Sequence, residues 1–310
     1  MTSQTVADRV PTSVRRALPH RGGHWVHRRK DAVTTVVVAL LIASSVYLLS
    51  AWTSLGQLFD QALFDICSSA ASVAHVPFLL TPYSVNSPVL WLVLFCVAIG
   101  LVLATTHRSS GVGMLHDRRL RTIAVLVAFP AVATLVAEFI RDHVLIRPEL
   151  HDWIADNQNS APSGHSAAVT ASAMVLIRAT PPRFRALTAT IAGVWVATIE
   201  YGLITAGWHR PSDVIISTVL VAAFATLLPD PHPPATRMPR RWTLVVPLVI
   251  WALPPAIVAA FYPAAVEVGT AALISLVVAS SVTVSMIRSA QSVSETPGDG
   301  PPAHNEMARS

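Results

Sequence analysis

Eight stretches of the chain, at about 32–53, 88–106, 122–140, 164–180, 186–207, 212–229, 243–262 and 267–287, are long, apolar and nearly free of charge. A helix needs about 20 apolar residues to cross the ~30 Å hydrocarbon core of a bilayer, and blocks of this length are read as candidate spans. The fourth has the shortest fully apolar part, because it opens on Gly164, His165 and Ser166 and ends near Arg178. Composition agrees. Only 13% of residues are charged, about half of what a soluble domain carries, and 53% are hydrophobic. The expected fold is all-α, a polytopic transmembrane helical bundle.

The net charge of +5 does not point to nucleic acid, because the basic residues fall in separate clusters beside the apolar blocks. Cytoplasmic loops retain Arg and Lys, so placing the amino terminus inside tests the eight spans. On that assignment 19 of the 22 basic residues lie on the cytoplasmic side, in the amino-terminal tail, 107–121, 178–185, 229–241 and the final tail. The three left outside are Arg141, Arg147 and Arg210. Residues 1–31 read as a disordered cytoplasmic tail, and 288–310, with Pro297, Gly298, Pro301 and Pro302, as a second. The first block lacks a small-residue cleavage site and is expected to be a retained helix. The location expected is a bacterial plasma membrane with both termini cytoplasmic. Cys67 and Cys96 imply no disulfide framework.

Between the first two spans, Leu55, Leu58, Phe59, Ala62, Leu63 and Ile66 recur at helical spacing, while Gln57, Asp60, Gln61 and Asp65 take the other face. An amphipathic helix packed at the membrane interface is expected, with a gating role as the alternative.

The three outward arginines sit beside polar residues that alternating topology returns to one face. After the third span the chain reads Arg141-Asp-His-Val-Leu-Ile-Arg147-Pro148. The fourth opens with Pro162-Ser163-Gly164-His165, and His209-Arg210-Pro211-Ser212-Asp213 joins the fifth and sixth. Phosphoryl transfer needs donors around the equatorial oxygens, an in-line nucleophile and a proton for the leaving oxygen. Arg147 and Arg141 can bind phosphate oxygens in a forked geometry, and Ser163 can donate its hydroxyl. Gly164 lets the backbone approach, where a helix start points free N–H groups at an anion. His209 can attack phosphorus, and Asp213, one turn on, can accept from its imidazole. His165 is left to protonate the leaving group.

These residues resemble the type 2 phosphatidic acid phosphatase superfamily, the lipid phosphate phosphatases related to vanadium haloperoxidases. Its pattern is Lys-x6-Arg-Pro, Pro-Ser-Gly-His and Ser-Arg-x5-His-x3-Asp, and the likeness covers roughly 138–213. The resemblance implies His209 as a nucleophile forming a phosphohistidine, Asp213 as its partner, His165 as the acid, and Arg147, Ser163 and Gly164 as the phosphate cradle. It implies no metal or cofactor, and a six-span phosphatase core over 32–229 with two further spans over 230–287. Two departures stand out. Arg141 replaces the lysine one residue closer to Arg147, and Gly202-Leu203 stands where Ser-Arg is expected. Arg210, the spare outward cation, is the candidate to supply the missing charge.

Other polar residues carry less. Glu200, near the outer end of the fifth span, is expected to pair with a site arginine, and Arg141 could instead pair with Glu138 one turn earlier. His143, Glu149, His151, Asp152 and Asp156 have no diagnostic metal-ligand spacing and read as a solvated loop. The function expected is hydrolysis of a lipid phosphate or lipid diphosphate at the extracytoplasmic face, among membrane lipids, with no nucleic acid and with no protein partner readable. The alternative is a catalytically weak or silent lipid-binding or transporter-like protein on the same scaffold. A transporter would place its ionisable groups at the midplane, whereas here they cluster at one face.

Overall fold

The computed structural model describes residues 21–70, 81–106, 114–154, 158–232, 240–261 and 264–291. Hydrocarbon offers the backbone no hydrogen-bond partners, so apolar blocks close their N–H and C=O groups within helices. Nine α-helices result among the described residues: α1 Arg21–Trp52, α2 Ser54–Ala70, α3 Pro88–Thr106, α4 Met114–His143, α5 Gly164–Ala179, α6 Arg185–Thr205, α7 Pro211–Ala225, α8 Arg240–Phe261 and α9 Ala265–Gln291. A short 3-10 helix, Pro82–Asn86, precedes α3. All eight expected spans are helices, and α2 is the amphipathic segment between the first two. Five stretches meet the length and hydropathy of a membrane span: 30–52, 120–143, 185–205, 241–260 and 265–287. The protein is an all-helical integral membrane bundle.

Element boundaries differ from the hydropathy reading at the polar ends. Helix α1 starts at Arg21 rather than near 32, and α4 at Met114 rather than near 122, because helices extend past the apolar segment into flanking polar sequence. The last part of the expected amino-terminal tail is therefore helical from Arg21 onward, and α9 likewise runs on to Gln291. Residues 1–20 and 292–310, the rest of the two expected tails, lie outside the described residues. Helix α8 continues through Pro247, Pro254 and Pro255.

Helix α5 is the axis. It packs against α3, α4, α6 and α7, and nearly its whole surface is buried. Ala167, Ala171, Ala173 and Ser172 allow that close approach, since small residues bring membrane helices together where no hydrophobic effect drives them. Helices α8 and α9 form a hairpin laid against α6, with α9 also touching α7 and α2. At Gly193 of α6 a Cβ would lie only 2.4 Å from Ile250 Cδ1 of α8, so a larger residue there would force the isoleucine to move. Outward rows such as Leu40, Leu41, Leu48 and Leu49 on α1, and Leu135, Val136 and Phe139 on α4, stay exposed, as lipid-facing positions do.

One end of the bundle is tied by arginines. Arg178 and Arg185 are buried, and Arg185 Nη2 donates to Asp230 at 3.1 Å while Arg178 Nη2 donates to the Ala225 carbonyl at 3.3 Å. These bonds join the carboxyl ends of α5 and α7 to the start of α6. The opposite end holds the amino ends of α5 and α7, the carboxyl ends of α4 and α6, and α2.

Candidate active site

Two short turns set the site. After α6, Trp208 and His209 both donate their N–H to the Leu203 carbonyl, at 3.0 and 3.3 Å, with Gly207 just before them at φ 73°. That left-handed conformation costs glycine nothing and would strain other residues. Arg210 follows in extended conformation as the N-cap of α7, with Pro211 at the first helical position. Asp213, at the third position of α7, accepts the Arg210 N–H on Oδ2 at 2.9 Å. This capping arrangement turns the Asp213 carboxylate back toward the histidine, and His209 Nδ1 lies 3.8 Å from the same oxygen.

Helix α5 is capped by Ser163, whose Oγ accepts the Ser166 N–H at 3.1 Å. A hydroxyl that accepts at its oxygen still has a proton to donate. Ser163 N–H donates to the Asp213 carbonyl at 3.3 Å, and the Ser217 hydroxyl donates to the carbonyls of both Ser163 and Asp213, each at 3.0 Å. The positive ends of α5 and α7 are therefore laced together and face the same space. At Gly164 a Cβ would lie 3.2 Å from Glu138 Oε1, so the glycine accommodates the α4 side chain above it.

His165 is half-buried, its ring 5.7 Å from that of His209 and 5.2 Å from that of Trp208, which meets Tyr83 edge-on. Arg147 is buried, with Nη1 3.7 Å from Asp60 Oδ2, and its Nε and Nη2 have no hydrogen-bond partner. Burial, and next the nearby Arg210 guanidinium, lower the Arg147 pKa from its ordinary value. Buried guanidinium donors left unpaired are costly unless an anion takes them.

The structure thus brings His209, His165, Asp213, Arg147, Ser163, Gly164 and Arg210 to one end of the bundle. Arg141 lies at the margin. It spends its charge on the exposed Asp142 at 2.7 Å, not on Glu138. Glu200 also differs from expectation. It is fully buried and pairs with no arginine; its Oε1 accepts from the hydroxyls of Ser166, Thr170 and Thr218 instead. His151 of the expected solvated loop packs on the start of α2 through Ser54, and Asp156 lies outside the described residues.

The largest surprise is α2. Three of its polar residues, Gln57, Asp60 and Gln61, are buried on the side of the site, whereas Asp65 and the apolar Leu55, Leu58, Phe59 and Ile66 are exposed. Asp60 accepts the Ser212 N–H at 3.1 Å and the Ser212 hydroxyl at 2.7 Å. Burial, then the Asp213 carboxylate, push Asp60 up to about 6. Gln61 Oε1 accepts from Arg210 Nε at 3.0 Å, and Gln57 Nε2 donates to the Pro148 carbonyl at 2.7 Å. Ser160 donates to Asp213 Oδ2 at 2.6 Å and accepts from Arg210 Nη1 at 3.0 Å. The sequence signal was the polar stripe of α2: beside lipid, the polar face of a helix turns toward protein.

A helical membrane protein with paired histidines, a buried carboxylate and buried arginines at the positive ends of two helices is built to handle an oxyanion. Residues 141–237, which contain this whole constellation except the α2 wall, match the PAP2 superfamily. That match supports a function of the phosphatase type. No curated protein and no solved structure matches the chain.

Proposed function

We propose that the protein hydrolyses a lipid phosphate or lipid diphosphate at the extracytoplasmic face through a phosphohistidine, without a metal. The observation that carries this reading is the convergence of His209, held beside Asp213 at 3.8 Å, with His165 and the unpartnered N–H groups of Arg147. Asp213, with Oδ2 3.8 Å from Nδ1, favours a proton on that nitrogen as the two draw together, which leaves Nε2 as the nucleophile. Nε2 forms a bond to phosphorus as the bond to the lipid oxygen breaks, and His165 gives that oxygen its proton. Water then attacks phosphorus, His165 takes the proton from it, and the phosphorus–nitrogen bond breaks to release phosphate. Arg147, the Ser163 hydroxyl and the start of α5 hold the phosphoryl oxygens, and Arg210 supplies the second cation. A lipid-borne phosphate fits because the groups lie at helix ends within reach of headgroups.

Phosphate release by the purified protein from a panel of lipid phosphates tests the reading. His209→Ala is expected to abolish release and His165→Ala to reduce it by on the order of a hundredfold or more. Vanadate is expected to inhibit and chelators to leave the rate unchanged. Full activity in His209→Ala, or loss of activity with a chelator, sinks the mechanism. One observation favours a second reading. Leu203, where the family carries arginine, is completely buried, so a catalytically silent lipid-binding protein is the outcome if no lipid phosphate is hydrolysed.

A further inference from the structure

Phosphate sites are normally kept clear of carboxylates, yet α2 inserts one here. Asp60 is 5% exposed and takes two donors on the site's edge, the N–H and the hydroxyl of Ser212, while Arg147 Nη1 stands 3.7 Å away. The groups that face it are few. From α2 itself come Gln57 and Gln61, and from the segment after α4 comes Arg147. The start of α7 brings Ser212, Asp213, His209 and Arg210. Of the other helices packed against α2, α6 carries Glu200, held by three hydroxyls of α5 and α7, and α9 carries Glu267, which acts on Cys67, two turns further along α2. The described part of α1 beside α2 carries no charged residue.

The charges at the site therefore nearly cancel. Arg147 and Arg210 are set against Asp60 and Asp213, and the third cation, Arg141, is engaged by Asp142 at 2.7 Å. Beyond the positive helix ends, an arriving phosphate meets little surplus of formal side-chain charge. Each further negative charge on the substrate raises the repulsion from Asp60, in a buried setting where salt screens weakly.

We propose that Asp60 is a charge-selecting residue of the phosphate site, which favours a singly phosphorylated lipid over a lipid diphosphate and draws in a proton as the anion binds. The inference rests on the phosphatase reading and narrows its substrate class. With a proton on the carboxyl, Asp60 becomes a donor and can bond a phosphoryl oxygen; ionised, it can only repel one. Because burial already lifts the group to about 6, the ionised form dominates the empty site at neutral pH. Below that pH the selection vanishes. As pH rises from about 6 it grows until the bound-state group also ionises, and it falls more heavily on the diphosphate.

The test compares kcat/KM for one isoprenoid alcohol carried as its monophosphate and as its diphosphate, over about three pH units that start just below the Asp60 value of about 6. In the parent, the monophosphate is expected to be preferred by on the order of tenfold at the alkaline end, and the preference should shrink toward pH 6. Asp60→Asn, which keeps the acceptor for the Ser212 N–H, is expected to lose the preference and its pH dependence, whereas Asp60→Glu should keep both. Should Asp60→Asn fail to fold, the parent profiles decide. After correction for each substrate's own titration, parallel profiles overturn the proposal, and a steeper fall for the diphosphate supports it. An unchanged ratio in folded Asp60→Asn also overturns it while leaving the phosphatase reading intact. If the parent hydrolyses neither substrate at any pH, both fall together.

Discussion

Arg210 shows how a single side chain can be redirected by what precedes a helix. Consecutive residues on a helix point about 100° apart, which would turn Arg210 away from its neighbour His209. Arg210 is instead extended, just outside α7, and its guanidinium reaches Gln61 and Ser160, close enough to Arg147 to lower that group's pKa. In this position it can stand in for the arginine that Leu203 replaces. Arg210→Ala is therefore expected to slow turnover by on the order of a hundredfold, the usual cost of one lost donor to a transferring group. Leu203→Arg added to Arg210→Ala should recover part of it. Turnover of Arg210→Ala equal to the parent's, on the best lipid substrate, would end the idea. The two histidines, Asp213 and Arg147 were nameable from local spacing, because each lies within a short motif. Asp60 was not, since its partner Ser212 is 152 residues away and only the folded chain joins them. Glu200 misled for a related reason: a buried carboxylate needs donors, and hydroxyls on α5 and α7 supply them to Oε1 in place of an arginine.

Among the elements, the eight apolar blocks were legible because hydropathy needs no tertiary information, whereas their ends were not, since polar residues can continue a helix beyond the bilayer core. The direction of α2 also escaped a purely periodic reading. Periodicity reveals two faces, and the solvent decides which one turns inward. Helix crossings are a third thing that pattern does not reveal, and Gly193 is the clearest case. A methyl there would press on Ile250 Cδ1 at 2.4 Å and Cγ1 at 2.8 Å, which drives α6 and α8 apart or forces the isoleucine off its rotamer. Gly193→Ala is expected to cost about 1–3 kcal/mol. Thermal unfolding in detergent would register it, and in an Ile250→Ala background, itself destabilised, the Gly193→Ala change should add little further cost. A Gly193→Ala protein as stable as the parent would show that the crossing is not tight.

For the whole molecule, the two ends of the bundle carry opposite kinds of arginine. Arg178 and Arg185 tie helix ends to Asp230, whereas Arg147 and Arg210 lie in the candidate site. With the positive-inside rule, this predicts that single cysteines introduced within 141–165 or 207–213 are labelled from outside intact cells. Those within 107–121, 178–185 or 229–241 should be labelled only after the membrane is opened. Outside labelling of 107–121 would invert the topology. The lengths of α5 and α7 then acquire a meaning for the surrounding bilayer. At 1.5 Å per residue, their 16 and 15 residues rise about 24 and 22 Å, short of the ~30 Å hydrocarbon core. Longer helices, the 32-residue α1 and 30-residue α4, stand beside them like a rim. On the proposed reading a lipid's phosphate leaves headgroup level to meet His209, and the about 6–8 Å by which α5 and α7 fall short of the hydrocarbon core, shared between their two ends, bounds how far it sinks while its chains remain in oil.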